Sequence, residues 1–134
     1  MHEAFCMQCF SMMPRAATVC PVCGQAAVAL TARSYREKLA AALRHPLAEV
    51  RMRAIIALGL RCDVETAADL AECALRHPRD IIEGLEIVKS LRMLPGGQPR
   101  YQALQDLCEQ HPATVVRIAA MGALAGMPPA KSQH

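Results

Sequence analysis

The dipeptide His-Pro occurs three times, at His45-Pro46, His77-Pro78 and His111-Pro112, at intervals of 32 and 34 residues. Proline lacks a donor N–H and disfavours helical geometry in the residue before it. A helix is therefore expected to end near each histidine, and the next to begin two or three residues later. The flanking sequence carries the matching periodicity. Leu39, Ala42 and Leu43 precede the first His-Pro, Leu70, Cys73 and Ala74 the second, and Leu104, Leu107 and Cys108 the third. Each set follows i, i+3, i+4 spacing, which makes one apolar helix face. A second face follows each His-Pro: Val50, Ala54, Ala57 and Leu58; then Ile82, Leu85, Val88 and Leu91; then Val116, Ala119, Ala120 and Ala123. Gly59, Gly96-Gly97 and Gly126 sit where the second helices are expected to end. The pattern predicts three stacked helical hairpins, a solenoid built from a recurring unit.

Composition agrees with helices. The chain of 134 residues is 53% hydrophobic but only 3% aromatic, and it has no Trp. Ala, Leu, Val, Ile and Met supply the apolar surface, and these suit packed helices more than a sheet. No run approaches the roughly 18 apolar residues of a membrane span, and Met1-His2-Glu3 does not read as an export signal. The expected compartment is the reducing cytoplasm.

Ahead of the repeats stands Cys6-x2-Cys9-x10-Cys20-x2-Cys23. Two closely spaced thiol pairs complete the tetrahedral S4 shell that zinc prefers. In Cys20-Pro21-Val22-Cys23-Gly24 the proline fixes a turn. The glycine permits the positive φ that lets backbone N–H groups turn toward sulfur. One structural zinc ion on Cys6, Cys9, Cys20 and Cys23 is the favoured reading. Iron in a rubredoxin-like site uses the same four thiolates, and spacing leaves it open. A disulfide framework fits less well without an export signal, and a thioredoxin-like pair lacks its βαβ context. With the formal net charge at +3, a Zn(Cys)4 centre brings the loaded chain near +1, weak for non-specific nucleic-acid binding.

Two resemblances follow. Cys6 to Gly24, with Pro14, Ala17 and the ten-residue spacer, resembles the short zinc ribbons of bacterial proteins. Phe10 stands where a glycine is more usual. The stretch from His45-Pro46 through Val50-Arg51, Ala54 and Leu58-Gly59 resembles a HEAT-like repeat. Val116-Arg117, Ala120 and Leu124 repeat it, whereas the middle unit has Ile82-Glu83 in place of Val-Arg. Together they imply a mainly α chain, a three-repeat HEAT-like α-solenoid at 34–127 behind a zinc ribbon at 1–30, with a tail at 128–134. Such arrays usually act as scaffolds for protein contacts.

No catalytic constellation is present. There is no nucleophile elbow around Ser11, Ser34, Ser90 or Ser132, no phosphate-cradling glycine loop and no His-Glu-x-x-His. Glu83 and Glu86 read as part of a solvated helix face. His45, His77 and His111 read as turn residues rather than a metal triad, and Cys73 and Cys108 as core residues. Arg51, Arg53 and Arg117 are the candidate partner-binding residues, although Arg51 and Arg117 fit equally well bonded to loop carbonyls or a neighbouring acid. The expected function is a non-enzymatic adaptor that binds another protein, alone, as an oligomer or within a larger assembly. A nucleic-acid accessory protein using the Arg-bearing face and the ribbon is the alternative, with Tyr35 and Tyr101 as its only stacking residues besides two Phe.

Overall fold

The computed structural model describes residues 3–6, 11–14, 18–24 and 32–126. Among the described residues, six helices form three hairpins: α1 (Ala32–Ala42) with α2 (Ala48–Arg61), α3 (Ala67–Arg76) with α4 (Ile81–Met93), and α5 (Gln98–Gln110) with α6 (Thr114–Ala125). A short 3-10 turn, Val64–Thr66, leads into α3. The second helices pack in the order α2, α4, α6, while α3 packs on α5. Ahead of them, β1 (Glu3–Phe5) pairs antiparallel with β2 (Met12–Pro14), Ala4 opposite Met13.

Each His-Pro does fall at a hairpin turn, and the side chains show how the turn is closed. His45 Nδ1 accepts the Leu47 N–H at 3.1 Å, and His111 Nδ1 accepts the Ala113 N–H at 3.0 Å. These rings satisfy donors that a helix start leaves orphaned. The middle turn differs. Asp80 caps α4 by accepting the Glu83 N–H at 3.0 Å, in the usual manner of an N-cap carboxylate. That cap places the start of α4 four residues after His77, one later than expected.

The apolar faces before the three His-Pro pairs point inward. Leu39, Leu43, Leu70, Cys73, Leu104 and Leu107 are fully buried. Val50, Ala54, Ala57 and Leu58 of α2 also join the core, as do Val116, Ala120 and Ala123 of α6. The expected face of α4 is only half right. Val88 and Leu91 are buried, but Ile82 is 74% exposed and Leu85 also faces solvent. Helix α4 lies between α2 and α6 and turns Glu83, Gly84, Ile87, Val88, Ser90 and Leu91 toward them. A charged residue and a glycine thus sit where period counting expects leucine-like residues.

Gly59 also departs from expectation. It lies within α2, and the helix ends instead on Cys62 in the left-handed conformation, with φ 56°. A Cβ at Gly59 would stand 2.7 Å from Ser90 Oγ and 3.0 Å from Ser90 Cα. One at Gly84 would stand 2.9 Å from Val116 Cγ2. Both glycines are therefore notches that let neighbouring helices approach closely, and Ser90 completes the first by donating to the Ile55 carbonyl at 2.8 Å.

Candidate interaction face and metal centre

The described N-terminal residues gather sulfur. Cys6 follows β1, and its N–H donates to the carbonyl of Ser11, the residue before β2, at 2.9 Å. At the second cysteine pair the Gly24 N–H donates to the Cys20 carbonyl at 2.9 Å, and Gly24 has φ 78°. The Val22 N–H lies 3.4 Å from Cys20 Sγ, the kind of backbone donor that stabilises thiolate. The sulfurs of Cys6, Cys20 and Cys23 lie within 4.8 Å of one another, with Cys6 Sγ and Cys23 Sγ 3.6 Å apart. A disulfide bond is about 2.05 Å long, whereas each S···S edge of a tetrahedral zinc–thiolate shell is about 3.8 Å. The spacing matches ligands around a common ion. Cys6 and Cys20 are buried together with Met13, while Cys23 is exposed. Cys9 lies outside the described residues.

Arg51 and Arg117 close back on their own turns, and Glu83 interrupts the series in the middle unit. Arg51 is buried. Its Nε donates to Glu83 Oε1 at 2.9 Å, and its Nη1 donates to the His45 and Pro46 carbonyls at 2.8 and 3.1 Å. Arg117, at the same position two units on, donates to the His111 and Pro112 carbonyls at 2.8 and 2.9 Å and to Thr114 Oγ1 at 3.0 Å. A partner reaching the Arg51 fork would have to open a buried ion pair. Arg53 is half-buried on α2. Glu83, expected on a solvated face, is instead fully buried and serves as the counter-ion of Arg51 in the preceding unit. The signal that could have found it was its place: Glu83 occupies, in the middle unit, the position Arg51 holds in the first.

Titration follows burial. The Cys73 thiol is pushed up to about 12, chiefly by burial and then by the Glu83 charge, so it is a poor nucleophile near neutral pH. The His111 imidazole is lowered from 6.5, mainly by burial and also by the Arg117 charge, against a raising influence of the Ala74 backbone. Its Nδ1 accepts a hydrogen bond, which also requires the neutral ring. The unfolded chain then takes up the proton first as pH falls. Stability from this group is full above about pH 6.5, the unfolded value, and declines as pH falls from there toward the folded value. Denaturant melts of the native chain and His111→Gln across pH 7.5 to 5 should show this decline in the native chain and a flatter profile in the variant.

The two helix layers present different surfaces. Outward positions on α1, α3 and α5 carry polar residues: Glu37 and Lys38, with Arg44 just past the end of α1, then Glu72, then Gln102 and Glu109 are exposed. Outward positions on α2, α4 and α6 are apolar. Ile56 and Leu60, Ile81, Ile82 and Leu85, then Val115, Ile118 and Met121 are exposed. Lys89 and Arg92 emerge beside them on α4.

This arrangement of paired helices has a counterpart among known families: a model for HEAT repeats matches residues 37–125. The chain is a HEAT-repeat protein. No curated protein and no solved structure matches it. HEAT repeats generally mediate contacts between proteins through the surface of the stacked helices, and in this HEAT protein that surface is apolar on the α2–α4–α6 side. Among the described residues, no helix is long and apolar enough to cross a membrane.

Proposed function

We propose that this HEAT protein is a non-enzymatic, cytoplasmic adaptor that docks another protein on the outward face of α2, α4 and α6. A ribbon at 1–30, held by one structural zinc on Cys6, Cys9, Cys20 and Cys23, is its N-terminal module. The observation that carries the docking reading is the run of exposed Ile56, Leu60, Ile82, Leu85, Val115 and Ile118 across three adjacent helices. Apolar residues shared by neighbouring elements make a patch, and patches of this kind mark interaction sites more often than single exposed residues do. Lys89 and Arg92 beside the patch favour a partner segment that pairs apolar side chains with acids. Arg53 lies on the same side of α2 and is the candidate arginine with access to such a partner. Arg51 and Arg117 support the reading indirectly, by holding the turns that orient α2 and α6.

The nucleic-acid reading draws less support. Tyr35 is buried, with the Arg61 guanidinium 4.5 Å from its ring centroid, so it offers no stacking platform.

The test is affinity capture from native cytosol with the wild-type chain and with Ile82→Asp/Ile118→Asp, whose side chains point to solvent. The expected outcome is a stoichiometric protein that the wild type retains and the variant loses, with unchanged circular dichroism. Equal capture by both proteins would refute this face as the docking site.

A further inference from the structure

We propose that Cys73, His77 and Glu83 form a second metal site, for a zinc-like divalent ion, at the turn between α3 and α4. Cys73 and His77 are four residues apart at the end of α3 and so lie on one side of the helix. The Asp80 turn brings Glu83, in the first turn of α4, over the same point. His45 and His111 each use Nδ1 to close their own turn. In the middle unit Asp80 caps the helix instead, and His77 Nδ1 is turned inward, 3.4 Å from Glu83 Oε2. Cys73 Sγ lies 3.7 Å from that same oxygen. All three donor atoms lie within 4.8 Å of one another.

These edges suit a tetrahedral ion. Bond lengths of about 2.3 Å to sulfur and about 2.0–2.1 Å to nitrogen and oxygen give N···O and S···O edges of about 3.3 and 3.6 Å. The carboxylate is also prepared. Arg51 Nε holds Oε1 at 2.9 Å and leaves Oε2 for the ion, as outer donors commonly do for ligating carboxylates. A mixed sulfur, nitrogen and oxygen set disfavours calcium and magnesium, which take oxygen, and favours zinc, cobalt or nickel. His77 is half-buried, so ions reach the group from its side and water supplies the fourth ligand.

Loading is balanced by one proton: the Cys73 thiol becomes a metal-bound thiolate and releases H⁺ to solvent. The ring proton that His77 Nδ1 donates toward the Cys73 carbonyl at 3.2 Å passes to Nε2 through solvent, a tautomer change with no net proton release, and frees the Nδ1 lone pair for the ion. One thiolate and one carboxylate neutralise the dication, leaving the Arg51 charge without its former balance. The site should therefore bind more weakly than the N-terminal thiolates.

Cobalt(II) titration of the full chain, followed by visible absorption and bound-metal analysis, tests this independently of the ribbon. The native chain should take two equivalents. His77→Gln and Cys73→Ser should each lose the weaker one, leaving the thiolate-rich spectrum of the tighter one intact. Circular dichroism checks the fold, and His77→Gln, at a half-buried position, guards against misfolding of the cysteine variant. If the ribbon reading fails, the native chain takes one equivalent that His77→Gln abolishes, and the second site stands. A native chain whose every bound equivalent survives His77→Gln overturns the proposal.

Discussion

Cys20→Ser is expected to release one equivalent of zinc and unfold residues 1 to about 28, while most of the helical signal remains. Structural zinc in small modules contributes about 10–16 kcal/mol of apparent binding free energy. The described ribbon residues have little else to hold them: two three-residue strands and a buried cluster of Cys6, Met13 and Cys20. On the proposed zinc reading, a module this small draws its folding free energy from the ion rather than from buried surface. Among the described residues, the helical core draws its members from residue 35 onward, and it contains none of the described N-terminal ones. Metal analysis, limited proteolysis and circular dichroism together read the result. Loss of the entire helical signal would instead show that the ribbon nucleates the array.

Glu83→Ala is expected to destabilise the helical array by about 3–5 kcal/mol, the usual cost of leaving one member of a buried ion pair alone. The Arg51 and Glu83 side chains are 7% and 1% exposed, and α2 meets α4 through them. The exposed pair Arg44–Glu72, at 2.9 Å and with both side chains more than half exposed, offers the control. Its loss through Arg44→Ala should cost no more than about 1 kcal/mol. Distance is the same in the two pairs, so solvent decides the difference. Because domains are stable by only about 5–15 kcal/mol, Glu83→Ala should move the denaturation midpoint sharply. The double variant Arg51→Met/Glu83→Leu should recover much of the loss, since packed apolar residues often replace a buried pair well. Urea melts of the four proteins supply the comparison.

The helices were legible because their punctuation and periodicity agree. His-Pro marks every hairpin turn, and the inward residues of α1, α2, α3 and α5 follow the i, i+3, i+4 rule closely. What period counting missed depends on contacts between units. Ile82 and Leu85 look like core residues, yet α4 is oriented by what α2 and α6 present to it: Arg51 calls Glu83 inward, and Val116 packs over Gly84. Gly59 likewise reads as a helix end until Ser90 is known to press against it. The paired cysteines gave the sulfur cluster of Cys6, Cys20 and Cys23 by spacing alone. The grouping of Cys73, His77 and Glu83 was hidden because three separate local roles, core thiol, turn imidazole and surface acid, each had an ordinary explanation.

The acid in the middle unit gives the array a direction. Arg51 finds its counter-ion one unit later, and Arg117, with no unit of this chain described beyond it, closes on its own loop and Thr114. A duplicated first unit spliced in after itself would set one arginine against another in a dry interior, and a swapped order would strand the carboxylate. Unlike beads that can be restrung at will, these three hairpins carry their sequence of assembly in a single reversed charge.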